Sequence, residues 1–132
     1  MKKKNSVLIN NKIKKFNKTI KIPSDKSCSI RAVILASQCI GISNIKNLLE
    51  SEDVLHCISA LRSLGVRILK NKNVYKIHGN GLGSFISKRK GKIFVGNSGT
   101  TARLLTGLLA TQPGEFHLYG DSSMNKRDMS RV

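Results

Sequence analysis

Acidic and aromatic residues are both scarce in this sequence. The chain has 7 Asp and Glu against 24 Lys and Arg, a formal net charge of +17, and aromatic residues make up 5% with no tryptophan. Such a charge favours an anionic partner: nucleic acid, an anionic membrane surface or a small anionic substrate. The shortage of aromatics counts against single-stranded nucleic acid, because bases stack on aromatic side chains. Most of the cations are lysines in polar turns and near the N-terminus, which is also typical of simple compositional bias.

Paired cysteine motifs and long apolar runs are missing as well. Cys28, Cys39 and Cys57 form no CxxC pair and lack histidines at zinc-ligand spacing, so no metal site is predicted. They are typical of reduced, partly buried thiols in a cytosolic protein. No stretch approaches the roughly 20 apolar residues of a membrane span, and the basic opening lacks the apolar segment of a signal peptide. We therefore expect a soluble, cytoplasmic protein that does not bind a membrane.

Hydrophobic periodicity predicts alternating strands and helices, which is an α/β (α+β) fold class. A short strand region falls within residues 1–20, and a buried helix begins near Ser27 and ends before Gly41. The other predicted elements are a strand at 43–49, a helix at 52–64, a hairpin at 66–70 and 74–78, a Gly-rich turn at 79–91, a strand at 92–95, a helix at 98–112, a strand at 114–120 and a polar loop or helix start at 121–132.

The helix at 52–64 has the clearest pattern of all. Ser51 is its predicted N-cap, Glu52 and Asp53 lie in its first turn, and Gly65 follows its end. Its predicted apolar face consists of residues at helical spacing: Val54, Leu55, Ile58, Leu61 and Leu64.

The two predicted buried helices begin with related segments, "KSCSIRAVILAS" and "SGTTARLLTGLL". Each segment places small hydroxyl residues before an arginine and then an apolar run, which indicates an internal repeat. The chain ends inside the second copy, where a second helix and a hairpin would follow. Their absence would leave apolar faces and sheet edges open to water, so we expect a fragment or one part of an assembly.

Each repeated segment carries the features of an anion site. The first turn of a helix has unpaired N–H groups and the positive end of the helix dipole. Lys26 precedes the predicted first turn, and Ser27 and Arg31 are four residues apart and share one face. The alternative is that Ser27 is only an N-cap and Arg31 only a surface cation.

The second copy repeats this spacing with Gly99 and Arg103. Asn97, Ser98 and Thr100 are placed to cap the helix or to bind a ligand. Gly99 would allow a ligand close to the backbone, where a Cβ would obstruct it. Here too the alternative is a plain N-cap at Ser98.

Other candidate polar residues carry weaker signals. Asp121, Lys126 and Arg127 follow the last predicted strand, where α/β proteins place ligand groups, although a solvated loop explains them as well. The three histidines are isolated in the sequence, and we interpret none of them as a metal ligand or catalytic base: His56, His78 and His117.

Four segments together resemble the 5-enolpyruvylshikimate-3-phosphate (EPSP) synthase family in order and spacing. They are "IPSDKSCSIRAVILAS", "NLLESEDVLHCISALRSLGV", "VGNSGTTARLLTGLLA" and "GDSSMNKRDMSRV". The resemblance covers the chain from about residue 20 onward and implies two lobes, each of three βαβαββ units. It places about one and a half units here, 21–80 and part of a second at 81–132, in an incomplete first lobe. Residues 1–20 would pack on the absent second lobe.

The resemblance also implies an activity and a set of site residues. The family transfers the enolpyruvyl group of phosphoenolpyruvate to the 5-hydroxyl of shikimate 3-phosphate, releases phosphate, uses no metal or organic cofactor, and is expected to be monomeric at full length. The implied shikimate 3-phosphate contacts are Lys26, Ser27 and Arg31. The implied phosphoenolpyruvate contacts are Lys26, Asn97, Gly99 and Arg127, with Thr100 and Arg103 in supporting positions.

The sequence departs from the family pattern at two positions and in length. Ser24 replaces the usual glycine before Asp25, and Asp128 follows Arg127 where proline is common. A carboxylate beside Arg127 would compete for its charge. The family's acid/base carboxylates, a lysine and further arginines come from later segments, so no catalytic residue is assigned and the isolated chain is expected to be inactive.

Two rival functions stay open at this point. The related enolpyruvyl transferase acting on UDP-N-acetylglucosamine shares the fold, but typically has Lys-Asn where this sequence has Lys26 and Ser27. A small basic nucleic-acid-binding module would fit the net charge, and its affinity would fall steeply with salt. The paired helix starts instead predict selectivity for small phosphates and no nucleic-acid partner.

Overall fold

The computed structural model describes residues 22–86 and 91–130, together with Leu8, Asn10, Asn17, Thr19 and Val132. The predicted strand region within residues 1–20 lies outside the described residues, apart from those four single positions. In chain order the elements are α1 (Lys26–Gln38), β1 (Ile40–Lys46), α2 (Glu52–Ser63), β2 (Arg67–Asn71), β3 (Val74–Asn80), β4 (Lys92–Phe94), α3 (Gly99–Leu109), β5 (His117–Tyr119) and a 3₁₀ turn (Met124–Lys126). The α/β prediction is confirmed, whereas the unit boundaries at 21–80 and 81–132 stay predictions.

Strand β3 lies at the centre of an antiparallel three-stranded sheet in the order β1-β3-β2. Ile77 faces Ser43 of β1 and Ile68 of β2, so the predicted hairpin of β2 and β3 is confirmed. Strands β4 and β5 form a separate parallel pair, with Ile93 opposite Leu118. A parallel pair requires a long crossover, and helix α3 provides it.

The strand predicted at 43–49 is displaced in the structure. β1 begins at Ile40, directly after α1, and pairs with the whole length of β3. Asn47 ends it because its φ of 57° is a left-handed conformation that a strand cannot continue. Leu48 then turns into the core, where it is 8% exposed. Leu48 and Leu49 therefore belong to a loop that packs on the core, whereas the sequence pattern predicts a strand there.

One hydrophobic core extends across both predicted units. Val33 of α1, Leu61 of α2 and Ile77 of β3 are fully buried, as is Leu105 of α3. Each aliphatic side chain of this size contributes roughly 1.5–3 kcal/mol when buried. The part of the second unit that is described therefore packs on the first unit and shares its core.

Two burial predictions are wrong in detail. Leu55 is 46% exposed, while Cys57 and Ala60 are buried, because α2 packs against both α1 and β4 and its buried face is shifted. The three cysteines are free, but Cys28 and Cys39 are exposed rather than partly buried.

An apolar groove lies open between α1 and α3. Ile34, Leu35, Leu104 and Leu108 line it, with Arg31 at its edge, and Leu35 is 66% exposed. This is the kind of uncovered apolar face that the sequence predicts. Among the described residues, no helix combines the length and the apolar character needed to cross a membrane.

We predict that Gly79→Ala destabilises the fold by about 1–3 kcal/mol. A Cβ at Gly79 would meet the backbone carbonyls of Cys39 and Ala36, the latter at 2.5 Å, and backbone cannot move aside as a side chain can. Urea unfolding followed by circular dichroism measures the change. Gly107→Ala is the control: it has open space in the interior of α3 and should stabilise by about 0.5–1 kcal/mol. Equal effects of the two variants would contradict the packing of α1 on β3.

Candidate functional site

The first turn of α1 is capped by Asp25. Its carboxylate accepts a hydrogen bond from the Cys28 amide at 2.7 Å, and this bond holds the pKa of Asp25 below its usual value. The alternative of an N-cap at Ser27 does not hold, since Ser27 is the second helical residue. Lys26 is the first residue of the helix rather than the one before it. Asp is among the strongest N-cap residues, but the adjacent serines concealed this signal.

Two serine hydroxyls tie the start of α1 to the loop after β1. Ser24 donates to the Asn47 carbonyl. Ser29 donates to the Asp25 carbonyl at 2.7 Å and accepts from the Leu49 amide at 3.1 Å. Ser24 has no positive φ, so its replacement of the usual glycine causes no backbone strain. Ser29 was missed from sequence because its partner is 20 residues away.

The ammonium group of Lys26 pairs with the carboxylate of Asp53. The Nζ to Oδ2 distance is 2.7 Å, and the two side chains are 50% and 23% exposed. A pair this exposed adds only about 0–1 kcal/mol to stability, so its main effect is to orient Lys26. Arg31 lies apart from this pair, exposed at the edge of the groove between α1 and α3.

The first turn of α3 is capped by Ser98, as predicted. Its hydroxyl accepts from the Thr101 amide at 3.3 Å and donates to the Thr101 hydroxyl at 2.8 Å. Ser98 and Thr101 are both fully buried, so neither hydroxyl faces solvent. Asn97 is exposed and Thr100 is half-buried, so these two residues remain accessible to solvent beside the helix start.

Arg127 reaches back to this helix start from the far end of the described chain. Its Nη2 donates to Asn97 Oδ1 at 2.7 Å, and a Cβ on Gly99 would lie 2.6 Å from its Nη1. The space above Gly99 is therefore occupied by the Arg127 guanidinium, whereas the sequence suggested open space for a ligand. Any anion at this helix start meets the guanidinium together with the backbone amides.

The segment that carries Arg127 is more ordered than a solvated loop. Asp121 accepts from the Met124 amide at 2.7 Å, and Met124 is 6% exposed, which anchors the 3₁₀ turn. Asp121 therefore has a capping role. Lys126 is exposed and has no described contact with the two helix starts.

The carboxylate of Asp128 is directed away from Arg127. It accepts from the Ser130 amide at 2.8 Å and the Ser130 hydroxyl at 2.9 Å, and the first of these bonds contributes most to lowering the pKa of Asp128. The Asp128 carbonyl accepts from Arg103 at 3.1 Å. The expected competition for Arg127 is not found among the described residues, and Arg103 supports the segment that carries Arg127.

Helix α2 brings the two helix starts together. Asp53 contacts Lys26 at the start of α1, and the His56 imidazole covers Gly96 in the loop before α3. Cys57 lies beside Thr101; burial raises the pKa of its thiol to about 12, against a smaller lowering by the Thr101 side chain. The N-terminal ends of all three helices therefore lie side by side, and their dipoles favour an anion at this end.

Within the described ranges, no three His, Cys, Asp or Glu side chains are grouped closely enough to hold a metal ion. His56 packs edge-on against Phe94 with ring centroids 5.4 Å apart, so its surroundings are those of a packed residue.

We expect Ser98→Ala to cost about 1–2 kcal/mol of unfolding free energy, because it removes the cap of α3 and one hydrogen bond of the buried Thr101 hydroxyl. Ser51→Ala is the matched control at the start of α2. The Ser51 hydroxyl is buried and makes no hydrogen bond, so its removal should change stability by less than about 0.5 kcal/mol. Chemical denaturation of both variants gives the comparison. Similar losses would show that the two caps are equivalent.

Comparisons with known proteins match this chain to one protein family. A family model described as EPSP synthase (3-phosphoshikimate 1-carboxyvinyltransferase) matches residues 10–132. A 3-phosphoshikimate 1-carboxyvinyltransferase of Streptococcus sanguinis is 41% identical over 120 residues, which are 91% of this chain and 28% of that protein. Its counterpart in Oceanobacillus iheyensis is 45% identical over 114 residues, 86% of this chain and 26% of the relative.

The fold agrees with the sequence match. The solved EPSP synthase of Acinetobacter baumannii superposes with a TM-score of 0.78 at 35% identity, over 85% of this chain and 26% of that one. The chain thus spans little more than a quarter of the length of these relatives. The resemblance of the helix-start motifs is confirmed, and the chain belongs to the EPSP synthase (3-phosphoshikimate 1-carboxyvinyltransferase) family.

Proposed function

We propose that this chain supplies the first part of a site that transfers the enolpyruvyl group of phosphoenolpyruvate to the 5-hydroxyl of shikimate 3-phosphate and releases phosphate. The observation that carries this proposal is the meeting of the starts of α1 and α3 on either side of α2. Two anionic substrates that must react with each other need two anion-binding helix starts within one site. Membership of the EPSP synthase family supports this choice of the two substrates.

Shikimate 3-phosphate is proposed to bind at the start of α1. Lys26 and Ser27 occupy the first two helical positions, at the positive end of the helix dipole, and Arg31 stands one turn later on the same helix. Lys26 is held by Asp53 in the free chain, so the incoming phosphate would share or replace that carboxylate. The hydroxyl of Ser27 is half-buried and can donate to a carboxylate or phosphate oxygen.

Phosphoenolpyruvate is proposed to bind at the start of α3, with Lys26 contacting both substrates. The Arg127 guanidinium has donors beyond the one used by Asn97, and a planar guanidinium suits carboxylate and phosphate oxygens. Gly99 lies next to the guanidinium, since a Cβ there would be 2.6 Å from Arg127 Nη1. Thr100 and Arg103 are given supporting roles, the latter through its contact with the Asp128 carbonyl.

The complete reaction requires groups beyond these. The methylene carbon of phosphoenolpyruvate needs a proton, the attacking hydroxyl needs a base, and the departing phosphate needs cations. Among the described residues, the carboxylates nearest the helix starts are Asp25, which caps α1, and Asp53, which pairs with Lys26. We propose that the acid, the base and the further cations belong to the part of the relatives that this chain does not cover.

The first test is binding to the 132-residue chain. Isothermal calorimetry should detect shikimate 3-phosphate, and Lys26→Met should weaken it about 10- to 100-fold, as expected for a lost charge-assisted hydrogen bond. Lys92→Met is the matched control, since Lys92 is exposed at the start of β4 and lines a pocket with Ser63, the last residue of α2. Equal weakening by both variants would indicate binding by net charge alone. Absence of heat from the unaltered chain would overturn the proposed site.

The second test is turnover. With both substrates present, steady-state phosphate release by this chain alone should stay at the level of the buffer control, because the proposed acid and base are missing. Detectable release that disappears in Arg127→Ala would contradict this and would place the whole catalytic apparatus within these residues.

A further inference from the structure

The side chain of His56 occupies the space next to the loop that precedes α3. Its imidazole stands nearly perpendicular to the Phe94 ring, at 86° and 5.4 Å between centroids. A Cβ at Gly96 would overlap the Nδ1, Cε1 and Cγ atoms of His56. The ring therefore lies directly on the Gly96 backbone, and only glycine fits beneath it.

Gly96 is the point at which the chain leaves β4 and turns toward α3. It is buried and has a φ of 59°, and its carbonyl accepts from the Asp121 amide at 3.2 Å. The Ser98 amide closes the turn by donating to the Val95 carbonyl at 3.1 Å. The loop is thus held on one side by Asp121 and on the other by His56.

The Nδ1 atom of His56 contributes no hydrogen bond to this arrangement. It is buried and has no partner among the described residues. A buried polar atom without a hydrogen-bond partner normally lowers stability. The imidazole therefore contributes at this position through its shape and not through a hydrogen bond from Nδ1. By holding Gly96, the ring also fixes the position of the next residue, Asn97, whose side-chain oxygen accepts from Arg127.

We propose that His56 is a positioning residue: its imidazole clamps Gly96 from helix α2 and thereby fixes the segment Gly96–Ser98 at the start of α3. The role of that segment in anion binding rests on the proposed function, whereas the clamp itself does not. Since Asp53 lies one turn earlier on α2 and pairs with Lys26, one helix sets the positions of both helix starts.

Amide hydrogen exchange of the 132-residue chain, measured by NMR, tests the clamp without any ligand. His56→Ala should speed exchange of the Ser98 and Asp121 amides by about tenfold or more relative to the Val66 amide, which bonds to Leu61 at the far end of α2. Leu55→Ala is the matched control, one residue earlier and 46% exposed, and should leave these ratios unchanged. Uniform acceleration, or none, would overturn the inference, because loss of global stability affects all three amides together.

Two further variants extend the test, and the first keeps it decisive if His56→Ala folds poorly. His56→Leu fills a similar volume without the nitrogen and should keep the Ser98 and Asp121 amides protected; faster exchange in it would overturn the account based on shape. Gly96→Ala should loosen the same amides in the unaltered chain, because the new methyl group displaces the ring. It should do so much less on a His56→Ala background, and equal effects on the two backgrounds would contradict the clamp.

A phosphoenolpyruvate titration links the clamp to the proposed function. The Gly99 and Thr100 amide signals should shift on titration, and His56→Ala should raise the concentration needed by about threefold or more, since a loosened loop must be ordered on binding. No shift in the unaltered chain would refute the proposed function, while the exchange ratios would still decide the role of His56. Shifts at equal concentrations in both proteins would overturn the positioning role.

Discussion

The contact of α2 with the starts of two other helices is the constraint on which the rest of the structure depends. Asp53, His56 and Cys57 lie within two turns of α2, and they contact Lys26, Gly96 and Thr101 respectively. These contacts bring together residues that are 27, 40 and 44 positions apart in the chain. Without them, the two repeated motifs would be separate helix caps, and the proposed shared anion site would not form.

Cations and helix N-termini lie together at one end of the fold, and nearby polar groups offset their positive charge. Asp25 caps α1, Asp53 pairs with Lys26, and the amide oxygen of Asn97 accepts from Arg127. The lowered pKa of Asp25 means that its contribution to stability is present above its usual value of 3.8 and is lost as pH falls through its lowered value. All three partners are short, polar side chains.

Most of the architecture could be predicted from local patterns. The three helices and the β2–β3 hairpin follow from periodicity, and the repeat of helix-start motifs identified Lys26, Ser27, Gly99 and Arg103 as one kind of site. Prediction failed where a distant partner decides the outcome. Asn47 shortens β1 through its backbone conformation, and Ser29 bonds to Leu49 in a loop 20 residues later. Arg127 lies over Gly99 although nothing within its own segment indicates that direction.

The sequence by itself determined the kinds of elements and the family, and it predicted an anionic ligand, because these depend on residue type and spacing along the chain. The tertiary structure decided which groups meet. Only the packed fold shows that Asp25 rather than Ser27 caps α1, that Asp53 holds Lys26, and that His56 covers Gly96. The physical reason is that hydrogen bonds, ion pairs and steric exclusion act over a few ångströms in space, and the sequence separations they bridge leave no periodic signal.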